Sequence, residues 1–134
     1  VATRALSHDE CVKLVRSPER YRPALLSVDG REPVTLRCFV LDNGDFLVPG
    51  DRALVRAAAG RTVTVTVTHR GLPALAGWTV TGLGLARPLV AADRPDPLPR
   101  ISGGTVDFAV GVRVVIARLT GELTPVPERS EPRQ

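Results

Sequence analysis

Hydrophobic and polar residues alternate most strictly along Thr62-Val63-Thr64-Val65-Thr66-Val67-Thr68, where a period of two puts the valines on one face and the threonines on the other. Such a segment is a half-buried strand, and its β-branched side chains suit a pleated surface. The apolar runs Ala24 to Val28, Val34 to Leu41 and Asp45 to Val48 are parted by Asp29-Gly30 and by Asp42-Asn43-Gly44. Asp-Gly and Asn-Gly between apolar runs mark hairpins, because these residues accept positive φ. An antiparallel meander follows. Trp78 to Leu89 reads as a long strand that its glycines allow to bend, Val112 to Leu119 as another strand, Thr120-Gly121 as a turn, and Glu122 to Val126 as a last short strand.

Helical signals are few. Ser7-His8-Asp9-Glu10 has the form of a capping box, followed by Cys11, Leu14 and Val15 on one apolar stripe until Ser17-Pro18 ends the helix. A second helix is expected from Arg52 to Ala59, with Asp51 as N-cap and Gly60 as the residue that stops it. Gly71 to Ala76 reads as a loop, and Ala91 to Arg100, with Pro95, Pro97 and Pro99, as a surface crossing. The fold class predicted is mainly β: a six-stranded antiparallel split β-barrel with a short N-terminal helix and one inserted short helix, since closure removes exposed strand edges. Residues 1–126 form one domain in this reading, and the polar residues 127–134 a flexible tail.

Composition narrows the class. A chain of 134 residues with 43% hydrophobic content builds one core, and no apolar run nears the roughly 20 residues needed to span a bilayer. No secretory leader can be drawn over Val1 to Leu6, and Cys11 and Cys38 lack a CxxC or Cys/His context, so a reduced cytoplasmic protein without a metal site is expected. The net charge of +4 comes from scattered arginines with a single lysine, Lys13, and aromatics make up only 4%. Without a dense basic run or stacking platforms, nucleic acid is not an expected partner.

Four runs in this order resemble the pyridoxamine 5'-phosphate oxidase-like FMN-binding split-barrel superfamily, in particular its small bacterial branch. They are Leu6-Ser7 with Glu10-Cys11 and Leu14, Ser27-Val28-Asp29-Gly30-Arg31 through Val40-Leu41-Asp42, Asp51-Arg52-Ala53-Leu54, and Gly77-Trp78-Thr79-Val80 with Gly84 and Ala86. The resemblance implies a six-stranded split barrel that forms a homodimer, with FMN in a groove between subunits and redox chemistry supplied by the flavin. Relatives typically carry a strand ending in Arg-Thr or Arg-Ser, then a Gly-containing turn and a Lys. This chain reads Phe46-Leu47-Val48-Pro49-Gly50-Asp51-Arg52, shorter and without the first Arg.

The resemblance therefore offers Gly50, Asp51 and Arg52 as a phosphate site at a helix start, where free amides favour an anion. Asp51 as a plain cap and Arg52 as an ordinary surface residue are the alternative. Arg37 stands where relatives place an apolar or small residue near the flavin ring, either as a substitute clamp or on the barrel's outward face. Trp78 is a ligand-stacking or a core residue, and His69-Arg70 a pocket mouth or a loop surface. No catalytic residue is identified. Two functions remain: a flavin (FMN)- or deazaflavin-dependent oxidoreductase acting on a small molecule, and a cofactor-free dimeric split barrel serving as a small-molecule binding or accessory protein.

Overall fold

The computed structural model describes residues 4–16, 20–70, 77–101 and 104–124. Strands β1 (Arg4–Leu6), β2 (Tyr21–Val28), β3 (Val34–Val40), β4 (Phe46–Pro49), β5 (Thr62–His69), β6 (Gly77–Pro88), β7 (Arg100–Ile101), β8 (Gly104–Thr105) and β9 (Gly111–Thr124) are joined by helices α1 (His8–Arg16) and α2 (Arg52–Ala58). The main sheet runs β1-β9-β4-β3-β2-β5-β6, and β9 also pairs with β6. That last pairing closes an antiparallel six-stranded barrel. Strands β4 and β1 share the other edge of β9, opposite Gly111 to Val114 and Gly121 to Leu123 respectively.

Alternation sets the interior. Val63, Val65 and Val67 are buried while the threonines between them face outward, as the period of two requires. They join Ala24, Leu26, Cys38, Val40, Phe46, Val48, Val80, Val112 and Val114 in one core. Helix α1 begins on the capping box: the Ser7 amide donates to Glu10 Oε1 at 2.9 Å and the Glu10 amide to Ser7 Oγ at 3.2 Å. Its Cys11, Val12 and Val15 are buried in the same core. The Asp29-Gly30 turn has both residues at positive φ, 51° and 73°, and Gly44 closes the next turn at 95°.

Several elements depart from the sequence pattern. Thr120-Gly121 is no turn: β9 runs through it, paired with Thr81 and Val80 of β6. Gly121 serves close packing instead, since a Cβ there would lie 2.9 Å from Cys11 Sγ. Strand β1 was not anticipated, because three residues carry no readable period, and β2 begins at Tyr21 rather than Ala24. Helix α2 ends one residue early, with Gly60 at a φ of 78°. The Ser17-Pro18 stop, the loop Gly71 to Ala76 and the tail lie outside the described residues.

The crossing from β6 to β9 carries structure of its own. It contains a 3-10 turn at Ala91–Asp93 and the β7–β8 ladder, and it covers part of the barrel's outer face. Cross-strand register aligns Tyr21, Phe39, Leu47, Arg113 and Arg87 in one row on that face. Val106 and Phe108 bury Leu47 in a small second core, with Tyr21, Phe39, Leu41 and Leu89 packed around it.

Candidate functional site

Beside this second core lies a cleft of about 630 Å³, lined by Arg20, Tyr21, Arg37, Phe39, Pro99, Arg100 and Ile101. Strands β2 and β3 supply its floor because Tyr21, Arg37 and Phe39 are outward positions of alternating strands, and the crossing supplies Pro99, Arg100 and Ile101 as the opposite wall. The aromatic rings are held by edge-on contacts with the crossing. Phe108 meets Tyr21 edge-on at 6.4 Å and Phe39 at 6.1 Å.

Three guanidinium groups converge on the cleft. Arg20 pairs with Asp42, its Nη2 standing 2.6 Å from Oδ1, an oxygen that Arg16 also approaches at 3.4 Å, and the Arg20 contact foremost holds the Asp42 carboxyl below the usual carboxylate range. Arg37 lies 5.8 Å over the Tyr21 ring. Among the described residues neither Arg37 nor Arg100 has a carboxylate partner. Burial raises the Tyr21 phenol above its ordinary pKa, against the opposing pull of Arg37, so it stays protonated and able to donate at neutral pH. Uncompensated positive charge beside aromatic walls and a phenol donor suits a flat, anionic ligand.

A buried ionic network fixes the crossing to the barrel. Asp93 receives Arg87 in bidentate fashion, Nη2 to Oδ1 at 2.7 Å and Nη1 to Oδ2 at 2.8 Å, and also takes the Val90 amide at 2.8 Å. Arg113 joins the two halves, donating to Asp93 Oδ1 at 3.0 Å and to Asp45 Oδ2 at 2.7 Å. The other oxygen of Asp45 accepts the Ile116 amide at 2.9 Å. Both carboxylates are buried, so pairing on every side is what makes their burial tolerable. The Arg87 contact drives the Asp93 carboxyl far below its ordinary pKa despite desolvation.

Of the residues singled out from the sequence, only Arg37 lines this cleft. Gly50 and Asp51 are exposed at the start of α2, where the Asp51 carboxylate accepts the Leu54 amide at 2.9 Å as the N-cap. Arg52 is exposed and lines a separate groove of about 350 Å³ with Val55, Arg56, Leu89 and Val110. Trp78 is buried in the main core, with the Arg22 guanidinium 5.3 Å from its centroid and the His69 ring stacked at 5.5 Å. Arg70 is exposed. Sequence pattern missed Arg20, Tyr21, Phe39 and Arg100 in the cleft, and Asp45, Arg87, Asp93 and Arg113 in the network. Outward alternation from Arg37 would have found Tyr21 and Phe39 once β2 was extended; nothing local marks Arg100. Among the described residues no cluster of metal-ligating side chains occurs and no helix is long and apolar enough to cross a membrane.

The closed ring, with its helix-bearing β4–β5 connection, defines a split barrel. Its fold is that of the pyridoxamine 5'-phosphate oxidase-like proteins. The FAD-binding protein from Mycobacterium smegmatis matches at a TM-score of 0.63 and 23% identity, covering 92% of this chain and 100% of that one. A protein provisionally named a pyridoxamine 5'-phosphate oxidase from Corynebacterium glutamicum matches at a TM-score of 0.65 and 14% identity, over 94% and 96%. An FAD-binding protein from Mesorhizobium loti matches at 0.62 and 20% identity, over 92% and 98%. No family model matches the sequence, and no curated protein matches it.

Proposed function

We propose that this chain binds a flavin nucleotide, FAD or FMN, in the Arg37 cleft and acts as a flavin-dependent oxidoreductase on a small molecule. The observation that carries the reading is the pair of unneutralised guanidiniums, Arg37 and Arg100, set beside the Tyr21 and Phe39 rings in a cleft of ligand size. Two of the structural neighbours named above are FAD-binding proteins, which is consistent with it. The usual phosphate position is a poor fit here. The run Phe46 to Arg52 is shorter than in relatives and lacks the Arg of their Arg-Thr, its Leu47 and Val48 are fully buried, and Asp51 puts a carboxylate at the start of α2. Arg37 and Arg100 are then the groups to hold the phosphate, Tyr21 and Phe39 those to hold the ring. When bound, the flavin supplies the electron transfer; the chain supplies charge, orientation and an apolar wall.

Titrating FAD and FMN while following flavin fluorescence tests this. Arg37→Ala is expected to weaken binding by roughly 10- to 150-fold, the range for a hydrogen bond to a charged group, whereas Arg52→Ala leaves it unchanged. A loss confined to Arg52→Ala would return the ligand to the start of α2. A deazaflavin with the same phosphate is titrated in parallel to choose between the cofactors.

A second reading is a cofactor-free split barrel that binds another anion. The absence of the relatives' Arg from the run Phe46 to Arg52, whose Leu47 is buried under Val106 and Phe108, favours it. Colourless protein that binds none of the three flavins would select this reading.

A further inference from the structure

Arg100 reaches the cleft from the short β7–β8 ladder of the crossing. It sits between two anchors on the barrel. One is ionic: Asp93, gripped by Arg87 and Arg113. The other is apolar: Val106 and Phe108, seated against Leu47, Tyr21 and Phe39. From the first anchor the chain runs through Pro95, Pro97 and Pro99, whose rings lock φ and make the spacer stiff. From the second it is tied back by the Val106 amide, which donates to the Pro99 carbonyl at 2.9 Å. Arg100 follows directly, with Ile101 beside it in the cleft wall.

We propose that Asp93 is a positioning residue for the anion site, acting through the stiff Asp93-to-Pro99 spacer to hold Arg100 opposite Arg37. This rests on the reading of the cleft as a flavin phosphate site. Asp93 itself does not line the cleft; its carboxylate is consumed by Arg87, Arg113 and the Val90 amide. A side chain that acts only through Arg100 has a definite signature. Its removal costs affinity when Arg100 is present and nothing when Arg100 is gone.

The test is a double-mutant cycle with FMN as the probe, joined to amide exchange on the ligand-free protein. Arg100→Ala and Asp93→Asn are each expected to weaken FMN by roughly 10-fold, the lower end for a charged hydrogen bond, and the double variant to match Arg100→Ala within about twofold. Exchange at the Val106 amide should rise in Asp93→Asn while the amides of β5 keep their protection. Multiplying losses in the double variant, or an unchanged Val106 amide, would overturn the positioning role. Should Asp93→Asn not fold, Arg87→Gln takes its place in the same cycle, because Arg87 is 42% exposed in its side chain and Arg113 still holds Asp93. FMN binding by the unmodified protein that Arg100→Ala leaves intact also overturns it. No FMN binding at all removes the site reading and the role together, and the exchange data then separate a structural anchor from none.

Discussion

Cys38 lies in β3 with no exposed surface, opposite Arg22 on β2, and burial pushes its thiol up to about 12. A thiol that cannot form thiolate is a poor nucleophile. Folded protein at pH 8 is therefore expected to leave Cys38 unmodified by a thiol reagent until denaturant is added, as intact mass would show; rapid labelling in the folded state contradicts this placement. Gly84 illustrates a different residue-scale constraint. A Cβ there would strike the backbone carbonyl of Val115, at the register shift where β6 and β9 change step. Gly84→Ala is expected to destabilise by ~1–3 kcal/mol, the range for overpacking, readable as a lower urea midpoint. The glycines of β6 were legible as a device for bending; which of them faces a partner backbone depends on a register that one strand does not encode.

Helix α2 is short enough for its cap to matter. Replacing Asp51 with Ala should cost about 1 kcal/mol in a chemical melt, because the Leu54 amide then loses its acceptor. Flavin affinity should stay as it was; a strong loss of binding would place the ligand at this helix after all. The crossing is held by a carboxylate, so its anchor responds to pH. Because the folded pKa of Asp93 is depressed, its contribution is present above the unfolded carboxyl value of roughly 3.9 and is lost as pH falls below it. Unfolding midpoints measured from pH 6 down to pH 2 should fall for the unmodified protein and fall less for Asp93→Asn. Equal slopes would remove Asp93 from the acid response. Asp29 and Asp42 shift in the same direction but are solvent-exposed on the surface, where screening leaves them little weight.

At the scale of the molecule, Leu25, Leu83, Leu85 and Val115 stand exposed on the outer face, Leu85 at 58%. Register groups most of them: Thr62, Leu85 and Val115 form one row across β5, β6 and β9, and Thr64 and Leu83 the next. Leu83, Leu85 and Val115 border a groove of about 670 Å³ whose lining is almost wholly apolar. We propose a second copy of the chain as its cover, giving a twofold homodimer. Light scattering at micromolar concentration should give twice the 14.3 kDa chain mass, and Leu85→Glu should halve it. A monomer from the unmodified protein would end the dimer proposal and leave the Arg37 cleft as a site built from one chain.

Period, turn chemistry and capping are local properties, and from them the sequence alone determined the mainly β class, the inward valines of β5, the two hairpin turns and both helix starts. The path of β9 through Thr120-Gly121 was beyond it, because a Thr-Gly pair is a turn or a bend according to whether β6 and α1 lie alongside. The cleft was likewise decided in three dimensions. Arg37 and Arg100 are far apart along the chain and line one cleft in a fold where Asp93 binds Arg87 and Arg113 and Phe108 packs on Leu47, contacts whose partners lie on other strands. A lone Arg in a proline-rich crossing carries no local sign of such a neighbour; electrostatic and apolar pairing between distant segments supplies it.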